Sequence, residues 1–274
     1  MKSAALVVVA SIALAGCEQS PGPPSPQPLV RFLDAGGMDW MNEYANATGV
    51  RLELSGIHAI DGRVAFVFGG LEAPPGTLRS VLLRTADGGE TWQEVMTPVT
   101  ASKVQFVAFT NRELGWALAA WTVEGPGEIV LHGSDSSGRA WTRLGDIRRS
   151  SPWSYPVSMT FDDPSNGEIR LSHLDVGNPD DPPHVELLAT TDGGYTWQTT
   201  RRLPSEEAAI EEPPRLFTTT CSDGSTWELD LGDMRNPHIV IRRRPRPEDE
   251  WILVSTLPTR FSFADGRVLT ASDR

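Results

Sequence analysis

The sequence predicts an all-β protein, a β-propeller built from four-stranded blades, about five of them. Three observations predict it. The stretch "TADGGETW", Thr85 to Trp92, returns as "TTDGGYTW", Thr190 to Trp197. Aligning the chain on Trp92, Trp141, Trp197 and Trp251 gives intervals of 49, 56 and 54 residues, and a period of that length marks a repeat architecture. Each interval divides into four short segments rich in Val, Leu, Ile, Phe, Thr and Trp, separated by Gly, Asp, Asn and Pro; no helical period competes with them. The other arrangement open to such strands is a β-sandwich with an accidental turn repeat.

The chain opens with a charged start, Met1 and Lys2, an apolar run from Ala4 to Ala13, and then "LAGC", Leu14 to Cys17. The run is too short to stay in a bilayer as a spanning helix, so residues 1–16 are expected to be a removable secretory signal. The pattern resembles a bacterial lipoprotein signal, in which small residues such as Ala15 and Gly16 admit the peptidase and the cysteine becomes the acylated first residue. That resemblance implies lipid attachment at Cys17 and, with Glu18 next, an outer-membrane address facing the periplasm. Glu18 to Pro28 carries five prolines in eleven residues, so 17–28 reads as an extended tether. Residues 29–274 remain for one propeller domain. With Cys17 committed to lipid, Cys221 has no intramolecular partner and is expected as a small core residue.

The first unit reads as "GIHAI", "RVAFVFGG", "SVLLRTAD" and "TWQEVM"; the second as "VQFVAFT", "LGWALAAW", "EIVLHGSD" and "AWTRLGD". The third has "VSMTFDD", "EIRLSHLDV", "HVELLATTD" and "YTWQTTRRL", and the fourth "RLFTTTC", "STWELDLG", "HIVIRRR" and "EWILVSTL". A fifth begins with "FSFADGRVLTA" and stops. Its missing strands are expected from "LVRFLD", Leu29 to Asp34, or "VRLELSG", Val50 to Gly56, so that the chain ends share one blade and cover each other's edges.

The repeated turn has its own chemistry. Asp-Gly between two β segments is a strong hairpin signal; Gly88 and Gly89 accept positive φ, and a carboxylate at Asp87 accepts amide hydrogen bonds of its own loop. Thr85, Asp87, Gly89, Thr91 and Trp92, and again Thr190, Asp192, Gly194, Thr196 and Trp197, match the pattern S/T-x-D-x-G-x-T-W. This resembles the Asp-box, or bacterial neuraminidase repeat. "SDSSGRAW" is a worn copy that keeps Ser134, Gly138 and Trp141, with Ser136 at the Asp position and Ala140 at the Thr position. In the fourth unit "TCSDGSTW" also fits loosely, but strand count makes Trp251 the equivalent tryptophan and leaves Trp227 in the second strand, like Trp116. The resemblance implies that these residues pin outer hairpins and are structural.

The formal charge of −12 repels nucleic acid, and the basic run Ile241 to Pro247 is followed at once by "EDE". His58, His132, His173, His184 and His238 stand singly without metal-ligand spacing. "DDPSNGE", Asp162 to Glu168, and "DVGNPDDPP", Asp175 to Pro183, lack the EF-hand alternation, so no metal and no cofactor are expected. Sialidases carry Asp-boxes, and that resemblance implies an arginine cluster, a tyrosine nucleophile activated by Glu, and an acid/base Asp. Only Arg31, Tyr44 and Tyr155 stand near such roles, and none has the family's context, so no catalytic residue is assigned.

The remaining surface is a binding surface. Trp153 and Tyr155, in "RRSSPWSYP", and Trp40, in "MDWMNEY", are candidate partner contacts, because Trp and Tyr offer large apolar faces at low entropy cost. "VQFVAFTNRELGWALAAW" followed by the turn is similar to repeats of the photosystem II assembly factors, which implies a role in holding a protein partner. The expectation is therefore a non-catalytic, lipid-anchored scaffold for an envelope protein. The alternatives are a sialidase-like glycoside hydrolase and a non-catalytic glycan-binding module.

Overall fold

The computed structural model describes residues 30–33, 48–73, 76–121, 128–148, 154–173, 183–204, 214–233, 235, 237–264 and 267–269. The described residues form strands, turns and bends without a helix. The first sheet contains β1 (Val30–Arg31), β2 (Thr48–Ala59), β3 (Ala65–Ala73), β4 (Gly76–Thr85) and β5 (Trp92–Glu94). The second contains β6 (Ser102–Phe109), β7 (Gly115–Trp121), β8 (Ile129–Ser134) and β9 (Thr142–Ile147). The third contains β10 (Ser154–Phe161), β11 (Gly167–His173), β12 (His184–Thr190) and β13 (Gln198–Pro204). The fourth contains β14 (Leu216–Thr220), β15 (Thr226–Gly232), β16 (Pro237–Arg244) and β17 (Ile252–Leu257). The second, third and fourth are four-stranded antiparallel meanders, and the all-β, propeller-like class stands.

The described strands form four sheets, so the count of about five units is not confirmed. "FSFADGRVLTA" forms β18 (Arg260–Ala264) and β19 (Arg267–Leu269), but these make no sheet of their own. They extend the first sheet, whose order is β1-β5-β4-β3-β2-β18-β19, with Arg260 opposite Arg51 and Phe261 opposite Val50. The reason is the length of β2. Its Arg51–Ala59 portion pairs with β3, and its opposite edge would leave backbone donors and acceptors unpaired unless another strand covers it. "LVRFLD" goes to the far edge of the same sheet, where Val30 lies opposite Trp92 in a parallel pair.

Register repeats along with the sequence. In the fourth strands of the second, third and fourth sheets the ladder skips one residue, Leu144, Thr200 and Val254. Each is the third residue after its tryptophan, which aligns Trp251 with Trp141 and Trp197. First strands skip Ser55, Gln105 and Val157 in the same way. Such bulges sharpen local twist. Trp227 lies in β15 as Trp116 lies in β7, and both indoles reach across to another sheet: Trp116 Nε1 donates to the Gly193 carbonyl at 2.8 Å and Trp227 Nε1 to the Asp61 carbonyl at 3.0 Å.

Three apolar clusters join the sheets. One packs Val67, Leu83 and Trp92 of the first sheet against Trp227, Leu229 and Ile241 of the fourth. A second joins Phe66, Phe68 and Leu82 to Val104, Val107 and Ala117 of the second sheet. The third joins Trp116, Leu118 and Leu131 to Met159, Ile169 and Leu188 of the third. The described sheets therefore follow one another in the order fourth, first, second, third.

Both full copies of the repeated turn use one carboxylate in the same way. Thr85 Oγ1 donates to Asp87 Oδ1 at 2.7 Å and accepts from the Gly89 amide at 2.9 Å, while Asp87 accepts from the Thr91 amide at 3.0 Å and the Thr91 hydroxyl at 2.6 Å. In the other copy the corresponding distances are 2.8, 2.9, 2.9 and 2.7 Å. The Thr196 hydroxyl and amide, with Thr190, pull the Asp192 carboxyl down to about 2. In the worn copy Ser136 Oγ accepts from the Ala140 amide at 3.1 Å, so one hydroxyl replaces two carboxylate oxygens. The glycine at the fifth position of each turn, Gly89, Gly138 or Gly194, has φ of 99°, 67° or 97°. Each lies flush against a neighbouring sheet, where a Cβ would run into Val254, Phe66 or Leu131.

Trp92 is 1% exposed, whereas Trp197 is half-buried. Trp92→Ala is therefore expected to lose about 3–5 kcal/mol in urea unfolding and Trp197→Ala less; equal losses would show that the two rings are not graded by burial. Restoring the worn turn with Ser136→Asp and Ala140→Thr is expected to gain about 1 kcal/mol, and an unchanged midpoint would count against the hydrogen-bond account.

Candidate functional site

Six residues before the Thr or Ser that opens each turn, and two residues after each tryptophan, the first three sheets carry polar side chains. In the first sheet these are Arg79 and Glu94, which pair at 2.5 Å with neither side chain exposed. The amino-terminal segment closes the position: the Leu33 amide donates to Glu94 Oε2 at 2.8 Å, and the Arg79 guanidinium lies 5.7 Å from the Phe32 ring centre. In the third sheet the positions are His184 and Thr199. Here Ser154 Oγ lies 2.6 Å from His173 Nδ1, and His173 Nε2 lies 3.1 Å from Glu186 Oε2. Thr199 Oγ1 donates to Glu186 Oε1 at 2.8 Å, and the His173 and His184 rings stack at 4.3 Å. Ser154, His173 and Glu186 are each under 5% exposed, so this network fills its position.

In the second sheet the pair is reversed, Glu128 and Arg143, joined at 3.1 Å and half-exposed. Here the position is open, a cleft of about 630 Å³ within the range of about 300–1,000 Å³ usual for small-molecule sites. One wall is the segment 97–100, which crosses from the first sheet to the second. It is fixed in place: the Ser80 amide donates to the Val99 carbonyl at 2.9 Å, and the Val99 amide donates to Ser80 Oγ at 2.7 Å. The other wall is Ser102, Trp121, Glu128, His132, Trp141 and Arg143.

Trp121 ends β7 and His132 lies inside β8, directly opposite Arg143. Trp121 Nε1 and His132 Nδ1 are both buried without a hydrogen-bond partner, and His132 is 6% exposed. Trp141 is committed differently. Its Nε1 donates to the Gly138 carbonyl at 3.1 Å, and its ring meets Phe66 and Phe109 edge-on. Arg143 also donates to Asp146, so one guanidinium faces two carboxylates. Burial first, and the positive charge of Arg143 second, hold the His132 imidazole down to about 4, so it is neutral near pH 7.

The sequence points to other places for binding. Tyr155 is half-buried in β10 opposite Ser172 and does not line the cleft. Trp40, Trp153, Tyr44 and Cys17 lie outside the described residues. The cleft residues Trp121 and His132 were not singled out as contacts, because the sequence places them in ordinary strands. The one legible signal was polar residues at the repeat positions that Arg79 and Glu94 occupy.

Other charged groups are internally committed. Arg242 pairs with Glu228 at 2.7 Å and Asp230 at 3.4 Å, and Arg244 lies 4.9 Å from the Trp251 ring centre. Lys103 of β6 bridges Glu53 of β2 at 3.1 Å and Glu72 of β3 at 2.5 Å. The Glu72 hydrogen bond pushes the Glu53 carboxyl up. Asp163 accepts from the Ser165 and Asn166 amides, an internal turn. Among the described residues no three His, Cys, Asp or Glu side chains gather as metal ligands.

No protein-family model matches the chain, and no curated protein does. Among solved structures the chain is similar to an α-L-arabinofuranosidase from Fusarium graminearum with an iminosugar inhibitor, at 10% identity and TM-score 0.39, over 76% of this chain and 71% of that one. It is similar to a Penicillium chrysogenum α-L-arabinanase complexed with arabinobiose, at 14% identity and TM-score 0.35, over 82% and 74%. A family 43 glycoside hydrolase from Xanthomonas citri complexed with xylotriose is similar at 12% identity and TM-score 0.34, over 77% and 74%. These neighbours are glycoside hydrolases and not assembly factors, which overturns the expectation of a protein-holding scaffold. At these similarities they transfer no substrate, residue or activity to the chain.

Burial also holds His58 down to about 4. A histidine whose folded pKa lies below its ordinary 6.5 contributes stability that is complete above 6.5 and is lost as pH falls toward 4. Each site adds a slope of up to about 1.4 kcal/mol per pH unit in that window. Urea unfolding at successive pH values is expected to lose stability between 6.5 and 4; a flat profile would mean that both imidazoles charge freely in the folded state.

Proposed function

We propose that the chain is a β-propeller that binds glycans in the cleft beside Trp121, presented at the cell envelope by lipid on Cys17. In this reading the sheets are blades around one axis, β18 on β2 joins the chain ends, and the tether 17–28 spaces the domain from an outer membrane.

One observation carries the binding reading. Trp121 and His132 line an open cleft, and Trp121 Nε1 and His132 Nδ1 are buried with no hydrogen-bond partner. Each such atom costs about 1–3 kcal/mol when unsatisfied, and a ligand hydroxyl in the cleft removes that cost. The indole of Trp121 adds a broad apolar face next to polar groups, the mixture that a sugar ring with its apolar face and hydroxyl rim fits. The equivalent Arg79 and Glu94 of the first sheet are buried, with Leu33 and Phe32 against them.

Binding fits the lining better than hydrolysis does. Glu128 is the single carboxylate among the described lining residues and is tied to Arg143. Glycoside hydrolysis ordinarily sets two carboxyl groups about 5–9.5 Å apart across the bond. A sialidase-like site would also need several arginines converging on one carboxylate. Among the described residues Arg79, Arg143 and Arg242 are each paired within their own sheets.

A glycan array probed with the folded domain, followed by calorimetry, tests the proposal. At least one glycan class is expected to bind, and Trp121→Ala is expected to weaken it by about tenfold or more while the variant remains folded. A folded wild-type protein that retains no glycan would defeat the reading.

A further inference from the structure

The cleft also carries information about the charge of what it binds. We infer, resting on the glycan-binding reading above, that its ligand is an uncharged oligosaccharide whose hydroxyls pair with Trp121 Nε1 and His132 Nδ1, rather than an acidic sugar.

The only cation lining the cleft among its described residues is already answered. Arg143 donates to both Glu128 and Asp146, so the three groups together carry one net negative charge. An incoming carboxylate or sulfate would have to displace an existing ion pair, and it would meet the second carboxylate as it did so. The chain's charge of −12 adds a repulsive field over longer distances. His132 supplies no positive charge either, because its burial beside Arg143 keeps it neutral above about 4.

The unpaired atoms specify the complementary group. An indole N–H donates only, while a neutral imidazole nitrogen either donates or accepts according to its tautomer. A hydroxyl answers both, since it donates one hydrogen bond and accepts others. Carboxylate and sulfate oxygens only accept, so they satisfy the imidazole in one tautomer alone. Trp141 takes no part in this pairing, because its N–H is held by the Gly138 carbonyl.

The first sheet supplies an internal comparison. Arg79 and Glu94 occupy the same repeat positions with the charges reversed and fully buried, and Leu33 and Phe32 cover them. In the second sheet Trp121 stands where the first has Leu71, six residues into the second strand. The exchange of Leu for Trp beside the cleft adds a buried donor without a partner, which a purely structural position does not need.

The test uses the lipid-free domain, residues 17–274 with Cys17→Ser, and titrates xylohexaose, cellohexaose, oligogalacturonate and sialyllactose by calorimetry. Uncharged hexasaccharide binding is expected, with affinity unchanged in high salt and between pH 8 and about 5.5, above the titration of His132. Trp121→Ala is expected to weaken it by about tenfold or more, and Trp121→Phe, which keeps an aromatic face but removes the N–H, by a smaller factor of about three to ten. Circular dichroism of each variant establishes that it is folded. Preferential binding of oligogalacturonate or sialyllactose, weakened by salt, would overturn the charge assignment while leaving glycan binding intact. Neutral binding indifferent to both Trp121 substitutions would overturn the cleft as its place. Failure of the folded wild type to bind any of the four would overturn this inference, and only a blank glycan array would overturn the broader reading with it.

Discussion

The glycine at the fifth position of each repeated turn lies against a neighbouring sheet with no space for a side chain, and the spacing of the sheets depends on that approach. Gly89 meets Val254 of the fourth sheet, Gly138 meets Phe66 of the first, and Gly194 meets Leu131 of the second. The backbone there is left-handed, which an L side chain resists by about 1–2 kcal/mol. The Thr–Asp–Thr hydrogen bonds hold the loop in that shape before any packing is considered. The tryptophan that follows is thereby delivered to a fixed place. Trp92 bonds Ser255 of the fourth sheet at 3.0 Å, while Trp141 and Trp197 fold back on the carbonyls of their own turns.

This arrangement separates two kinds of position along each sheet. The turn end is occupied by repeated aromatic packing: Phe161 stacks on Trp116 at 3.7 Å and meets Trp197 edge-on, as Phe109 meets Trp141. The opposite end holds different polar groups in each of the first three sheets, a buried Arg–Glu pair, an open Glu–Arg pair beside Trp121, and a Ser–His–Glu network. Chemistry can vary there because the scaffold's spacing is set elsewhere. Charge balance then decides what each position accepts. Arg79 with Glu94 is sealed, while among the described residues lining the cleft the one cation, Arg143, is shared by Glu128 and Asp146 and two neutral atoms are unpaired.

Much of the fold was legible because its signals are local. Thr85, Asp87, Gly89, Thr91 and Trp92 contact one another within a single turn, so their spacing alone predicts their hydrogen bonds. Strand alternation and the period of the tryptophans likewise place four strands per unit, including the alignment of Trp251 over Trp227. The fate of the chain ends was less legible. "FSFADGRVLTA" reads as the start of a fifth unit, yet whether a strand begins a new sheet or extends an old one depends on which edge is free, and that is a property of β2 in its assembled sheet. The aromatics in turn-rich text, Trp40, Trp153 and Tyr155, drew attention as contacts because loops carry function. Trp121 and His132 did not, since nothing in a strand's own sequence reveals which of its polar atoms will be left without a partner.

The sequence by itself determined the all-β class, the four-stranded unit, the turn that closes it, and a net negative charge. All of these follow from interactions between residues a few positions apart or from composition. Only the tertiary structure decided that one long β2 carries both the last two strands and β3, that Arg79 and Glu94 are sealed, and that the equivalent Glu128 and Arg143 border an open cleft. Those outcomes depend on which segments cover which faces, and coverage is set by residues such as Leu33 and Glu94 that lie about sixty positions apart in the chain.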